Sequence, residues 1–234
     1  MRGARSARLA IVGVCRRLYE RGLIAGAEGN VSVRLGEDRI LVTPAGMAKV
    51  DVRPEDLVEV SLDGTRVHGS CRASSEIAVH LRIYERRSDV GAVVHAHPPT
   101  ATGFAVAGES FMECVLPEVI FNVGRVPLVP YAAPGTAALA DRFEPFLAAH
   151  DAFLMANHGA TTVGPTLAAA HQRMESLEQA ARILLTARQL GRVNTLSADD
   201  ARELIAARER VTRGESRSGR SLPDEGRSMH GERR

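Results

Sequence analysis

Apolar side chains at helical spacing open the chain. Between residues 6 and 21, five of them share one side of a helix: Leu9, Ile11, Val12, Cys15 and Leu18. Gly22 then ends the pattern, as glycine commonly does one residue past a helix. The periodicity predicts an N-terminal amphipathic helix whose apolar face packs on a core.

Alternation of apolar and polar residues follows this helix. Val31, Val33 and Leu35 alternate with polar neighbours, a turn follows at 36–38, and an apolar run returns at 40–43. This pattern is typical of a β-hairpin with one buried face. The hairpin is therefore the first predicted piece of a sheet.

Further strands and helices are predicted along the rest of the chain. Apolar and β-branched runs predict strands at 57–68 (a pair), 90–95, 126–129 and 152–155. Helical spacing and capping residues predict helices at 74–87, 100–108, 136–149 and 167–190. This mixture predicts an α/β protein.

Length and composition fit one domain. The 234 residues are 44% hydrophobic, which is enough for a packed core without disulfides. From 212 to 234 the chain is charged and rich in Ser and Gly, so it cannot offset its ordering entropy. We therefore predict one domain at 1–211 and a disordered tail at 212–234.

Net charge and the spacing of the cysteines limit which binding partners and which cellular compartment we expect. A formal net charge of +2 is too close to neutral for nucleic acid or a membrane surface to be the main partner. Arginines interrupt the first 22 residues, so no signal peptide is expected, and no run is long enough to span a membrane. Cys15, Cys71 and Cys114 are far apart, which indicates free thiols in a reducing cytoplasm.

Two histidines stand at the end of an apolar strand. His95 and His97 are two residues apart, so in a strand both side chains point the same way. Two neutral imidazoles placed in this way can bind one metal ion, or each can make its own hydrogen bond. His158 follows the strand at 152–155 and precedes Gly159, which permits a tight turn. Three histidines at strand ends suit a catalytic metal with an open coordination position.

A possible anion pocket involves the start of the helix predicted at 74–87. Ser74 and Ser75 can cap the helix, and Glu76 complements its positive end. The same helix end can instead bind phosphate, and a carboxylate there can move protons. Gly29-Asn30 and Ala45-Gly46 are turn elements that can close such a pocket with backbone N–H groups.

Six short motifs in sequence order resemble the class II aldolase/adducin family. The resemblance covers about residues 9–190 and rests on these motifs: Gly29-Asn30-Val31-Ser32, Thr43-Pro44-Ala45-Gly46, Ser74-Ser75-Glu76, His95-Ala96-His97, Pro130-Tyr131 with Gly135-Thr136, and Asn157-His158-Gly159. The family implies a three-layer α/β/α sandwich with a central, mainly antiparallel sheet. It also implies a homotetramer with active sites near subunit interfaces.

The resemblance assigns roles to particular residues. It implies that His95, His97 and His158 bind a divalent metal, zinc or an alternative such as Mn²⁺ or Co²⁺. Glu76 matches the family's acid/base glutamate, which also reaches the metal when substrate is absent. The residues matching the family's phosphate pocket are Gly29, Asn30, Gly46, Ser74 and Ser75.

The implied function is a metal-dependent aldolase. It would cleave a small ketose 1-phosphate, similar to fuculose phosphate, to dihydroxyacetone phosphate and an aldehyde. The metal would act as a Lewis acid on the enediolate oxygen, and Glu76 would move the proton. The same site also suits an epimerase, a dehydratase or a decarboxylase of a sugar phosphate or sugar-acid phosphate. A non-catalytic, adducin-like interaction module is a remote alternative, because such a module should have lost the metal ligands.

The chain departs from the family pattern at its tyrosines. Fuculose-phosphate aldolases use tyrosines in their middle region and C-terminal tail to assist protonation. This chain has Tyr19, Tyr84 and Tyr131 and none after residue 131. That difference argues against fuculose phosphate as its particular substrate. Ala45 also removes a hydroxyl that the family loop often carries, although its backbone N–H remains.

Overall fold

One eight-stranded sheet organises the part of the chain that the computed structural model describes, residues 2–110 and 115–212. The strands are β1 (Asn30–Leu35), β2 (Arg39–Val42), β3 (Val58–Ser61), β4 (Arg66–His68), β5 (Ala92–Ala96), β6 (Leu128–Val129), β7 (Ala152–Met155) and β8 (Gly159–Gly164). The helices are α1 (Arg2–Glu20), α2 (Ile77–Arg86), α3 (Pro99–Ala107), α4 (Pro117–Asn122), α5 (Ala137–Phe143), α6 (Leu167–Gln189) and α7 (Ala198–Thr212).

The sheet is mainly antiparallel. Its strand order is β4-β3-β2-β1-β5-β8-β7-β6, and within the described residues β6 and β7 form the one parallel pair. β1 and β5 are therefore neighbours, although more than fifty residues separate them along the chain. This pairing brings the predicted hairpin next to the strand that carries His95.

Helices cover both faces of the sheet. One core contains Ile11, Val94 and Leu177, so α1 and α6 pack on the same face. The other contains Ile83 and Phe143, which places α2 and α5 on the opposite face. Because residues of a strand alternate between faces, one strand contributes to both cores. The predicted three-layer α/β/α sandwich with a mainly antiparallel sheet is confirmed.

The structure differs from the sequence predictions in several elements. β8 was not predicted, because its residues are small, lie between two glycines and are buried along their whole length. A strand buried on both faces shows no alternation. α4 lies before the strand predicted at 126–129, in a stretch for which no helix was predicted, and two residues of that strand form β6. α5 ends at Phe143, earlier than the predicted 149.

The last element that the structure describes is a helix, although no helix was predicted there. α7 continues to Thr212, and the rest of the predicted tail at 212–234 lies outside the described residues. Cys114 also lies outside them, whereas Cys15 and Cys71 are free thiols. Across 2–110 and 115–212, no helix combines the length and apolarity needed to cross a bilayer.

Candidate metal centre

β5 presents the first two histidines on the α2 side of the sheet. Val94 points into the core beneath α1 and α6, so the next residue, His95, points toward α2. Asn30 of β1 is the register partner of His95. His97 lies just past the strand end, where its backbone N–H donates to the carbonyl of Leu23 at 3.0 Å. The strand end therefore fixes the position of both histidines.

The turn between β7 and β8 supplies the third histidine. Asn157 adopts a φ of 56°, the left-handed conformation that asparagine tolerates better than most residues. The backbone N–H of His158 donates to the carbonyl of Met155 at 3.0 Å, which closes the turn. The side chain of His158 consequently points toward the end of β5.

The three imidazoles and Glu76 converge. The ring centroids of His95, His97 and His158 are 4.8 to 5.1 Å apart. One nitrogen from each ring lies within 4.8 Å of the others. Glu76 Oε2 is 3.0 Å from His95 Nε2, and Glu76 Oε1 is 3.0 Å from His158 Nε2. The structure thus brings together all four residues predicted as metal ligands.

Hydrogen-bond partners indicate where the ring protons lie. His95 Nδ1 is 2.9 Å from the carbonyl oxygen of Ala160, so Nδ1 carries the proton and Nε2 keeps a lone pair. His97 Nδ1 is 3.4 Å from the carboxylate of Glu28, which favours the same tautomer. The two Nε2 atoms are only 3.2 Å apart, so their lone pairs face each other.

A divalent ion bound between the two Nε2 atoms would remove the repulsion between their lone pairs. Two facing lone pairs repel, and a cation between them turns both into ligands. A tetrahedral zinc ion with Zn–N bonds of about 2.0–2.1 Å separates its ligand nitrogens by roughly 3.3 Å. The observed 3.2 Å between His95 and His97 matches that spacing. The donor set therefore fits a divalent metal.

The protonation states also suit a metal. Burial alone raises the pKa of Glu76, but positive charge at the adjacent His95 and His158 outweighs burial and holds that pKa well below its usual range, and a divalent ion bound by the same neutral rings would supply such a charge. Burial, reinforced by the two other rings, lowers the pKa of His97 to about 4. At neutral pH the carboxylate is therefore charged and His97 is neutral, which are the forms that bind metal ions.

Two glycines allow the backbone to approach the histidines. A Cβ added at Gly159 would lie 2.6 Å from His97 Cδ2 and 2.7 Å from the carbonyl oxygen of Ala96. A Cβ at Gly29, whose φ is +69°, would lie 2.7 Å from the carbonyl oxygen of His95. Side chains are excluded at both positions, so the packing around the histidines depends on glycine.

Two of the predicted phosphate-pocket residues, Asn30 and Ser74, contact Glu76. Asn30 Nδ2 donates to Glu76 Oε2 at 2.9 Å, and the backbone N–H of Glu76 donates to Ser74 Oγ at 3.3 Å. Ser74 is buried, and its backbone N–H bonds the strand end at Thr43. Ser75 is exposed. Asn30 and Ser74 thus contact the acid/base candidate directly.

Lys49 connects the two candidate phosphate loops. One loop contains Gly46, and the other precedes Asn30. Lys49 is the one lysine of the chain, and its side chain is buried. Its Nζ donates to the carbonyls of Ala27 at 2.9 Å and Met47 at 2.8 Å, and burial lowers its pKa. Lys49 therefore ties the loop before Asn30 to the loop containing Gly46, a role the sequence did not indicate.

Sequence reasoning also missed two side chains beside the centre. Glu28 was overlooked because a carboxylate in a glycine-rich turn has no distinctive signature, yet it contacts His97. His80 is fully buried on α2 and hydrogen-bonds Asn30. One signal was available for His80, because it follows Glu76 by four residues and so shares its helix face.

Fold and site together define a member of a known family. The family model described as "Class II Aldolase and Adducin N-terminal domain" matches residues 9–185. The chain therefore belongs to the class II aldolase and adducin family, as its six motifs predicted. It is similar to enzymes of this superfamily.

Individual relatives span two reactions. A 3-oxo-tetronate 4-phosphate decarboxylase from Pectobacterium atrosepticum is 34% identical over 85% of this chain and 92% of its own length. An L-fuculose phosphate aldolase from Methanocaldococcus jannaschii is 33% identical over 74% of this chain and 92% of its own. The solved structure of YgbL from Escherichia coli matches with a TM-score of 0.81 and 30% identity, covering 86% of this chain and 99% of that one.

Proposed function

We propose that this protein is a divalent-metal-dependent lyase. It cleaves a carbon–carbon bond of a small phosphorylated sugar or sugar acid and releases dihydroxyacetone phosphate. The observation that carries the proposal is the convergence of three imidazole nitrogens and the Glu76 carboxylate, with the Nε2 atoms of His95 and His97 3.2 Å apart. His95, His97, His158 and Glu76 would hold zinc or a similar divalent ion. When bound, such an ion supplies Lewis acidity at the ketone oxygen of the substrate.

Glu76 is the proton carrier in this proposal. Asn30 donates to its Oε2, which fixes the orientation of the carboxylate. Cleavage leaves an electron pair on the carbon next to the ketone, as an enediolate. Glu76 delivers a proton, drawn from solvent, to that carbon and is ionised again.

The phosphate end of the substrate would bind where the two loops meet α2. Gly29, Asn30, Gly46, Ser74 and Ser75 are the proposed contacts, through backbone N–H groups and hydroxyls. Lys49 holds the two loops together from beneath. Anchoring at this end orients the bond that breaks.

Decarboxylation of a 3-oxo sugar-acid 4-phosphate is the reaction we favour. Loss of CO₂ from C1 leaves the electron pair on C2, and protonation at C2 gives dihydroxyacetone phosphate. This leaving group needs no base, because the substrate carboxylate supplies the electrons. Among the described residues, no contact joins a tyrosine hydroxyl to the four proposed ligands; Tyr84 bonds Ser32, and Tyr131 is exposed. The 34% identity to the decarboxylase supports the same choice.

Aldol cleavage of a ketose 1-phosphate is the second candidate. It passes through the same enediolate and releases an aldehyde in place of CO₂, but it needs a base for the hydroxyl of the leaving fragment. The 33% identity to an L-fuculose phosphate aldolase favours it. A homotetramer with sites near subunit interfaces and a cytoplasmic location stay predictions.

Product analysis tests the proposal. Zinc-loaded protein is incubated with 3-oxo-tetronate 4-phosphate and, separately, with a series of ketose 1-phosphates, and dihydroxyacetone phosphate is measured by a coupled assay. We expect its release from the 3-oxo acid with one CO₂ for each molecule. Release from a ketose phosphate alone would select the aldolase. No release from either class, with zinc bound, would refute the lyase proposal.

A further inference from the structure

A chain of buried hydrogen bonds leads from the core to Glu76. Tyr84 OH is 2.9 Å from Ser32 Oγ, which is 2.6 Å from His80 Nδ1. His80 Nε2 is 2.5 Å from Asn30 Oδ1, and Asn30 Nδ2 donates to Glu76 Oε2 at 2.9 Å. These residues lie on β1 and α2, apart from Glu76, which directly precedes α2. Packing of α2 on the sheet therefore assembles the series of hydrogen bonds.

The Glu76 carboxylate, at the end of this series of hydrogen bonds, determines which group donates in each of them. A charged carboxylate only accepts, so Asn30 must turn its amide N–H groups toward Glu76 and its Oδ1 toward His80. His80 therefore donates through Nε2–H and accepts at Nδ1. Ser32 then donates to His80 and accepts from Tyr84. One tautomer of His80 is compatible with the whole chain.

His80 stays neutral in this position. Its side chain is 1% exposed, and burial lowers its pKa to about 3. The ring is thus a fixed donor at neutral pH and does not exchange protons with substrate. A flipped Asn30 would place Oδ1 against the Glu76 carboxylate and would need the other tautomer of His80. The Glu76 carboxylate selects the first state, and the Nε2–H of His80 holds the amide in that state from its other side.

We propose that His80 is a positioning residue, which locks the amide of Asn30 so that Asn30 holds Glu76 in its reactive orientation. The inference rests on the proposed function, because it assigns a purpose to the orientation of Glu76. His80 would affect the proton-transfer step and leave the phosphate contacts unchanged. Ser32 and Tyr84 extend the same lock into the core.

A merely structural role for His80 predicts something different. In that case, replacing the buried imidazole would lower the stability of the protein by the same amount whether or not the new side chain restores a donor near the position of Nε2. His171 offers a matched control, because it is also a buried histidine but lies on α6, where its Nδ1 is 3.6 Å from Glu175. Any generic cost of replacing a buried histidine should appear equally at both positions.

Variants of the full chain test the inference with dihydroxyacetone phosphate as the probe. In D₂O, zinc-loaded protein that protonates the enediolate exchanges deuterium into the hydroxymethyl carbon, which NMR follows. His80→Phe keeps a ring but has no donor, whereas His80→Gln places an amide N–H near the position of Nε2. We expect His80→Phe to lower the maximal exchange rate roughly 10- to 100-fold, with half-saturation unchanged. His80→Gln should recover most of the rate, and His171→Phe should match the wild type.

The tautomer of His80 gives a second readout that needs no turnover. Imidazole ¹⁵N NMR of the wild-type protein should show the Nε2–H form across neutral pH. An Nδ1–H form would overturn the inference, as would equal loss in His80→Phe and His80→Gln, or no loss in His80→Phe. If the wild type exchanges no deuterium, the proposed function fails, and the tautomer still decides the direction of the hydrogen bonds.

Discussion

Gly159→Ala perturbs the histidine cluster without replacing a proposed ligand. Gly159 starts β8, directly after His158, and its φ is not in the left-handed region, so alanine meets no backbone penalty. The added Cβ would lie 2.6 Å from His97 Cδ2, 2.7 Å from the carbonyl oxygen of Ala96 and 3.4 Å from His95 Cε1. The substitution therefore presses on His97 and on the backbone at the end of β5, and it contacts His95 less closely.

The geometry sets the size of the effect. A carbon–carbon contact of 2.6 Å falls roughly 0.9 Å short of the optimum of about 3.5 Å. Because the Ala96 carbonyl lies in the paired strand, relieving its 2.7 Å contact shifts the end of β5, and the His97 ring must move as well. Overpacking of this kind costs about 1–3 kcal/mol. If the ring leaves its ligand position to relieve the strain, zinc affinity falls by roughly 10- to 100-fold, at 1.4 kcal/mol for each factor of ten.

Competition with a chromophoric chelator measures that affinity. Gly103→Ala serves as the control, because a Cβ there meets no heavy atom within 4 Å and the residue lies inside α3. Gly103→Ala should bind zinc like the wild type and gain about 0.5–1 kcal/mol of stability. Wild-type zinc affinity in Gly159→Ala would refute the view that close packing against β8 holds the histidines in place.

Three further predictions concern groups around the centre. Glu28→Gln removes the charge beside His97 Nδ1 and should weaken zinc binding roughly 10-fold in the same competition assay; an unchanged affinity would exclude a role for this carboxylate. Lys49→Met leaves the carbonyls of Ala27 and Met47 without their donor, so calorimetry should show weaker binding of dihydroxyacetone phosphate, and unaltered binding would contradict the loop connection. The metal-free protein should lose stability between about pH 6.5 and 3, because the folded pKa of His80 is lowered to about 3 and the unfolded chain therefore binds more protons in that window. Denaturant unfolding of His80→Gln should show a shallower loss there, and an equal slope would contradict this assignment.

Local patterns indicated which residues could bind a metal, but not that these residues meet. His95 and His97 share a strand face because side chains alternate, and His158 follows a strand at a glycine turn. The prediction that these three meet came from the family motifs, since nothing local indicates that β8 lies beside β5. β8 itself has neither alternation nor large side chains, so periodicity could not reveal it.

Long-range pairing explains what the sequence did not show. Asn30 and His80 are 50 residues apart and meet because β1 lies under α2. Lys49 joins loops at Ala27 and Met47, one of them 22 residues away. Such contacts depend on tertiary packing, which single-sequence patterns do not encode. The sequence therefore predicted which residues carry the chemistry, whereas the residues that position them could be identified only from the structure.

Deuterium exchange into dihydroxyacetone phosphate tests the central claim most directly. In the proposed mechanism, His95, His97 and His158 bind a divalent ion and Glu76 moves a proton at the carbon beside the ketone. Zinc-loaded wild-type protein should catalyse exchange at the hydroxymethyl carbon. Glu76→Gln with zinc bound, and chelator-stripped wild type, should not. Exchange of equal rate in either, or none in the zinc-loaded wild type, would contradict the account.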